Sequence, residues 1–383
     1  MLAFCFLTGQ HVHASPFPPV SAAATVSLIT ESPASDFYTA WGHSAIRIND
    51  PVNQTDEVFN FGTFDFNDSY FYLKFIKGNL LYTESIYSYS DYMANALQDP
   101  HRIIQQDLDI SPGQKQAVSD ELFRLYLPQN RFYKYDWARV NCSTKLRDVL
   151  QKALGADFTY NTKLPPGATS FRAHEQPYLE NDLWIRFGTN IVLGSPSDRL
   201  ITPFEETFLP DGLYGLLKMM HKHDTRQLVK SEHEILKGVK GTDKLTLVSP
   251  SLFFWFLFLL TTGLSLSVKA GRAIDVLVFS LSGIIGCFML YLWLGSDHTE
   301  TRNNWNLVWA FPLHLFYPIL RGKPKYYYSL LIAALTICML SGWYFIPQTM
   351  EPAVIAILAM QNTRALFNLG VRQLIDKVMA EPA

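Results

Sequence analysis

Ser251 to Val268, SLFFWFLFLLTTGLSLSV, runs for 18 residues without a charged side chain. A stretch of that length suits the hydrocarbon of a bilayer better than the core of a small domain. Four more apolar stretches follow, about Ile274 to Leu294, Leu307 to Leu320, Tyr327 to Phe345 and Pro352 to Leu369. The third is short, and the fifth contains Gln361, Asn362 and Arg364, which either pair inside a helix bundle or mark its cytoplasmic end. Charge divides the chain at the same place, since residues 1–250 carry 51 of the 66 charged side chains and residues 251–383 only 15. The pattern predicts a polar domain over 15–245 and an all-α membrane domain of about five transmembrane helices over 250–383.

Short basic loops set the orientation of such a domain. Lys269 and Arg272 fall between the first two spans, Arg321, Lys323 and Lys325 between the third and fourth, and Arg372 and Lys377 after the fifth. With five spans all three groups lie on the cytoplasmic side, which puts the N-terminal half outside the cytoplasm. The start of the chain agrees. MLAFCFLTGQHVHA gives an apolar run from Met1 to Leu7 and a small-residue cleavage pattern ending at Ala14, so residues 1–14 are expected to be a signal peptide, without the usual basic start.

With 32 basic and 34 acidic residues and 48% hydrophobic content, the chain is neither disordered nor drawn to nucleic acid by net charge. Its four cysteines, Cys5, Cys142, Cys287 and Cys338, form no disulfide framework and no Cys-x-x-Cys metal pattern, and no cofactor is expected.

In the polar half, ATVSLIT, SAIRIN, EVFNFG and NLLYTESIY have the alternation and β-branched content of strands, broken at Pro33, Asn49-Asp50-Pro51 and Gly78-Asn79. Pro112 opens a helical stretch to Leu127, Ser143 to Leu154 places Leu146, Val149, Leu150 and Leu154 on one helix face, and Trp184 to Leu193 reads as a further helix. This is an α+β domain. The run Tyr70-Phe71-Tyr72 with Phe75 reads as core rather than as a lipid clamp.

Two motifs carry chemistry. Trp41-Gly42-His43-Ser44 precedes a strand, so His43 would sit at the mouth of a sheet. Asn141-Cys142-Ser143-Thr144 opens a helix, where the macrodipole and free N–H groups favour a thiolate and can hold an oxyanion. A histidine facing such a cysteine makes a base and nucleophile pair. Cysteines in helices more often pack as small apolar residues, and a histidine beside tryptophan is often a satisfied core side chain. What sets Cys142 apart is its place where the helix begins, outside the apolar stripe.

Order and content of these motifs resemble the circularly permuted NlpC/P60 branch of papain-like folds, which includes lecithin:retinol acyltransferase-like enzymes. They resemble still more the Lnb-type lipoprotein N-acyltransferases. The resemblance rests on Trp41-Gly42-His43-Ser44, Asn60-Phe61-Gly62-Thr63-Phe64-Asp65-Phe66, Asn141-Cys142-Ser143-Thr144 with Arg147-Asp148, Phe208-Leu209-Pro210, Ser296-Asp297-His298, Asn304-Trp305-Asn306-Leu307 and Pro312-Leu313. Val140 departs from it, standing where many relatives have an acidic residue.

The resemblance implies a permuted papain-like domain facing the periplasm of a bacterial inner membrane. It implies that Cys142 takes an acyl chain from a membrane phospholipid as a thioester and passes it to the α-amine of a diacylglyceryl-cysteine lipoprotein, with His43 as acid and base. A third group should hold the imidazole. Strand alternation favours Asn60 over Asp65, although Asn60 could equally cap a turn. Trp41, Ser44 and Asn141 line the implied site, and Ser296, Asp297, His298, Asn304 and Asn306 would close it or bind a head group, against the plainer reading of a wet loop. Two other readings stand beside this one: a cell-wall cysteine peptidase of the NlpC/P60 type, and a non-catalytic membrane-anchored binding module. The residues leave acyl preference and oligomeric state open.

Overall fold

The computed structural model describes residues 17–34, 39–65, 68–160, 163–222, 226–238 and 248–371. The expected signal peptide, Phe66 of the aromatic motif, and the basic residues Arg372 and Lys377 lie outside the described residues.

Strands β1 (Thr25–Glu31), β2 (His43–Asp50), β3 (Thr55–Thr63), β4 (Leu81–Ser88), β5 (Ile103–Leu108), β6 (Phe132–Lys134) and β7 (Val229–Leu236) form one sheet in the order β6-β4-β3-β2-β1-β5-β7. Every pairing is antiparallel. The four strands read from alternation are present. Strand β5 is not alternating, because its polar Gln105 and Asp107 are satisfied sideways by Arg47 and Ser27 rather than by solvent. Strand β7 arises in a region whose sequence looks irregular.

The helices of the polar half are α1 (Phe71–Lys77), α2 (Tyr89–Ala96), α3 (Pro112–Tyr126), α4 (Cys142–Leu154), α5 (Phe171–Glu175), α6 (Leu183–Val192), α7 (Pro203–Glu206) and α8 (Pro210–Met219). One sheet face buries Leu28, Ile46, Phe59 and Phe61 against Val118 and Leu122 of α3, the α4 stripe Leu146, Val149, Leu150 and Leu154, and Leu213 and Leu217 of α8. Ile29, Ala45, Val58 and Ile103 on the other face meet Ala96 of α2. Each such aliphatic side chain contributes roughly 2 kcal/mol when fully buried, so the stripe, not the first turn, fixes α4 on the sheet.

The apolar half contains α9 (Pro250–Leu264), α10 (Val268–Leu294), α11 (Gly322–Ser341) and α12 (Ala353–Leu366). Among the described residues two helical stretches, Val268–Leu294 and Ala353–Val371, are long and apolar enough to cross a membrane by themselves. Large apolar side chains point outward along these helices, among them Leu252, Phe256 and Leu259 on α9 and Leu277, Leu281 and Ile284 on α10. Water disfavours such a surface and lipid does not.

The expectation of a third transmembrane α-helix is corrected. The stretch Leu307 to Leu320 forms two 3-10 segments, Trp305–Val308 and Pro312–Ile319. Pro312 and Pro318 deny it the amide donors of a regular helix. It still runs the length of α10 in the opposite sense. A Cβ on Gly286 would stand 1.7 Å from the Ala310 carbonyl oxygen, and one on Gly283 would stand 2.8 Å from Leu315 N. The Phe279 and Tyr317 rings lie 4.0 Å apart, and Lys325 Nζ reaches Asp275 at 2.8 Å. Irregular backbone at membrane depth is tolerated when protein covers it, which the glycines of α10 allow. Of the two readings of the polar residues in the last span, pairing inside the bundle holds for Gln361, which donates to Ser282 and to the Trp309 carbonyl, and for Arg364, which donates to Asp275.

The two halves are bound together where α10 and α11 end. Asn304 donates to the carbonyls of Ile191 (2.8 Å) and Val192 (3.1 Å), Asn190 donates to Glu351 (2.6 Å), and Arg139 pairs with Glu300 at 2.8 Å.

Candidate active site

Cys142 is the first residue of α4. The helix starts there because Asn141 and Thr144 form a reciprocal cap, Thr144 N–H donating to Asn141 Oδ1 at 3.0 Å and Asn141 N–H to Thr144 Oγ1 at 2.8 Å. The Asn141 amide also donates to the carbonyls of Trp137 (2.6 Å) and Phe208 (2.7 Å), which ties the helix start to the Phe208-Leu209-Pro210 segment. All of its polar atoms are thus engaged in holding the cap, so Asn141 places Cys142. Trp41 packs with Ala138, Phe171 and Phe208 beside the same turn.

His43 begins β2, at the sheet end nearest the α4 N-terminus. Its Nε2 hydrogen bonds to Oδ1 of Asn60 on β3. An amide oxygen only accepts, so Nε2 carries the proton and Nδ1 is left as the basic nitrogen. Asn60 in turn donates to Thr63 Oγ1 at 3.5 Å, and Thr63 bonds Ser85 at 2.7 Å, which orients the amide. Of the two candidates for the third group, Asn60 is the one bonded to the imidazole.

The sheet bulges between Phe61 and Thr63, with Gly62 at φ +106°. That conformation suits glycine. A Cβ there would lie 3.7 Å from His43 Cε1 and 4.0 Å from Cys142 Cβ, so the bulge makes the gap in which imidazole and thiol meet. Burial opposes charge on both groups, but the mutual charge and hydrogen bond of His43 and Cys142 outweigh it, holding the thiol below its ordinary value and the imidazole well above. The Ser44 N–H and the Ser143 hydroxyl add hydrogen bonds to the sulfur, and Ser44 Oγ lies 2.9 Å from Ser143 Oγ. These shifts favour the thiolate and imidazolium form of the pair.

Three further residues belong to this site that the motifs did not point to. Glu31 is the cross-strand partner of His43. Burial would raise its carboxyl, but hydrogen bonds from His101 (2.8 Å) and Tyr92 (2.6 Å) and the charge of His43 hold it low. It is a fixed anion behind the imidazolium. Tyr133 and Tyr135 stand close enough to Cys142 for its charge to add to burial in raising their phenols. The alternating aromatics Tyr133 and Tyr135, a few residues before Cys142, are their signal in the sequence.

The expected head-group loop is placed differently. Ser296 donates to the Leu292 carbonyl, Asn306 to the Ile191 carbonyl, and Asn304 to Ile191 and Val192. All three are buried. Asp297 pairs with Lys134 at 2.9 Å, and His298 Nε2 bonds the Phe75 carbonyl at 2.9 Å. Ser296 ties off the end of α10, the other four fasten the two domains, and Asp297 together with Glu300 holds Lys134 and Arg139 on the segment that leads to Cys142.

No curated protein and no solved structure matches the chain. Two family models do: the Lnb N-terminal periplasmic domain over residues 20–175 and the Lnb transmembrane domain over residues 242–373. The chain belongs to the Lnb family, a membrane-anchored protein with its N-terminal domain in the periplasm and its C-terminal domain in the membrane.

Proposed function

We propose that the protein is a lipoprotein N-acyltransferase of the bacterial inner membrane, moving an acyl chain from phospholipid through Cys142 to the α-amine of a diacylglyceryl-cysteine lipoprotein. The helix-borne cysteine packed on an antiparallel sheet whose strand carries the histidine fits the papain-like reading of the domain. The observation that carries the proposal is where the nucleophile stands: the Lys134 to Asn141 segment is clamped by Asp297 and Glu300 to the loop at the periplasmic end of α10. A thiolate held at that level meets substrates anchored in the membrane.

In the first half-reaction the Cys142 thiolate attacks the ester carbonyl. Helix geometry leaves the N–H groups of Cys142 and Ser143 without intrahelical acceptors, and these suit the developing oxyanion. As the C–O bond breaks, the His43 imidazolium gives its proton to the glycerol alkoxide, and lysophospholipid departs. In the second, a neutral amine attacks the thioester, His43 takes the ammonium proton, and the C–S bond breaks to restore the thiolate. Asn60 holds the ring in one tautomer throughout.

Purified full-length protein with phospholipid and a diacylated lipopeptide tests the reading. It should give triacylated product and lysophospholipid in equal amounts, with acyl-Cys142 trapped when the amine is withheld. Cleavage of wall peptides without acyl transfer would favour a peptidase, and neither activity would favour a binding module.

A further inference from the structure

Helix α1 buries none of its side chains. Contrary to the expectation that this aromatic run is core, Tyr70 is 65% exposed, Tyr72 76% and Leu73 64%. An aromatic surface so dense is unfavourable in water and marks an interaction site. The end of α1 is tied to the membrane domain by hydrogen bonds to its own backbone carbonyls. Asp297 N–H donates to the Lys77 carbonyl at 2.8 Å, His298 Nε2 bonds the Phe75 carbonyl at 2.9 Å, and the helix ends at Gly78 against the backbone of His298. These partners follow within a few residues of Leu294, the last residue of α10. Tyr344 and Phe345, just beyond α11 at the same end of the bundle, are also almost fully exposed. Aromatic residues gathered where spans leave the hydrocarbon form an interfacial belt. The exposed aromatic side chains of α1 thus stand on a helix bonded to the residues just past the end of α10, and Lys77 at its end is exposed as well.

Inward from α1 the rings continue. Phe71 meets Phe64 at 5.6 Å, Phe64 meets Tyr82 at 5.0 Å, and Tyr82 stacks at 4.4 Å on Tyr135, which lies on the segment leading to Cys142.

We propose that α1 is a membrane-surface helix whose Tyr70, Tyr72 and Leu73 enter the periplasmic leaflet of the bilayer. The occupant of this face is lipid. The ring series from Phe71 to Tyr135 is then the wall along which an acyl chain passes between leaflet and thiol; this second role rests on the acyltransferase reading, whereas insertion does not.

The full-length chain carrying Cys142→Ala, which cannot form a thioester, is placed in nanodiscs of phosphatidylethanolamine and phosphatidylglycerol containing a phospholipid with a diazirine near the glycerol end of its acyl chain. After irradiation, peptide mapping should find adducts on residues 68–77 as well as on the transmembrane helices. Tyr72→Asp with Leu73→Asp should remove the adducts on 68–77 and leave those on the helices. Adducts confined to the helices would overturn the proposal. Because this chain cannot turn over, a failed transfer assay and a failed insertion assay are told apart.

Discussion

Asn60 Oδ1, on β3, accepts the Nε2 proton of His43, on β2, and so leaves Nδ1 as the nitrogen of the imidazole that can serve Cys142. Asn60→Leu should remove this hold while leaving the nucleophile in place. The expected result is a fall in kcat of roughly 10- to 100-fold with KM little changed, since the loss is in proton transfer rather than binding. Steady-state kinetics with phospholipid and lipopeptide would check it, and a change confined to KM would remove Asn60 from the mechanism.

Cys142 is half-buried against the edge of the core rather than within the stripe of α4, and alanine fills nearly the same space, so Cys142→Ala should leave the fold intact and stop transfer. Losing a covalent nucleophile removes the route itself, typically by several powers of ten. Cys287→Ala and Cys338→Ala, both exposed on the outside of the bundle, should be close to silent. Intact mass of the trapped acyl-enzyme in each variant distinguishes the three sites.

The two half-reactions should respond to pH differently. The Cys142 thiol is held below and the His43 imidazole above its ordinary value, which favours the thiolate and imidazolium pair. Acylation should therefore be nearly flat from pH 6 to 8 and decline at alkaline pH, where His43 loses its proton. Deacylation needs a neutral amine, and with a model α-amino pKa near 8 it should rise over about pH 6 to 8. Single-turnover rates of the two steps are the measurement.

Glu31 sharpens that test. Its anion favours the imidazolium, so Glu31→Gln should lower the pKa of His43 and move the alkaline decline of acylation to lower pH. The groups facing the carboxylate are Tyr92 on α2, His101 before β5 and His43 on β2. An unchanged pH profile would reduce Glu31 to a structural anchor.

Removing the cation from the interdomain pair leaves a carboxylate whose side chain is fully buried, since Glu300 is 0% exposed in its pair with half-exposed Arg139. Arg139→Ala should cost about 1–3 kcal/mol of stability, the penalty for an unsatisfied buried polar group. It should also slow transfer by loosening the segment before Cys142. Arg139→Ala with Glu300→Gln should recover part of the stability, read by thermal unfolding in detergent.

The sequence by itself determined the division at Pro250, the polar and apolar character of the two halves, strands β1 to β4, and the start of α4 at the Asn141-Cys142 motif. Each of these depends on local periodicity, capping or charge count, which act over a few residues and are written in them. The tertiary structure decided the rest. Strand β5 has no alternation because Arg47 and Ser27, distant in sequence, satisfy its polar side chains. The third apolar stretch passes along α10 without forming an α-helix because Gly283 and Gly286 let its backbone approach closely. Ser296, Asn304 and Asn306 looked like loop residues awaiting a ligand, and became interdomain hydrogen-bond donors and helix-end ties once their acceptors were brought to them. The aromatic run of α1 has the composition of a core, yet the fold holds it beside the end of α10 with its side chains exposed. Which surface a side chain meets depends on contacts between distant segments, and those no local pattern records.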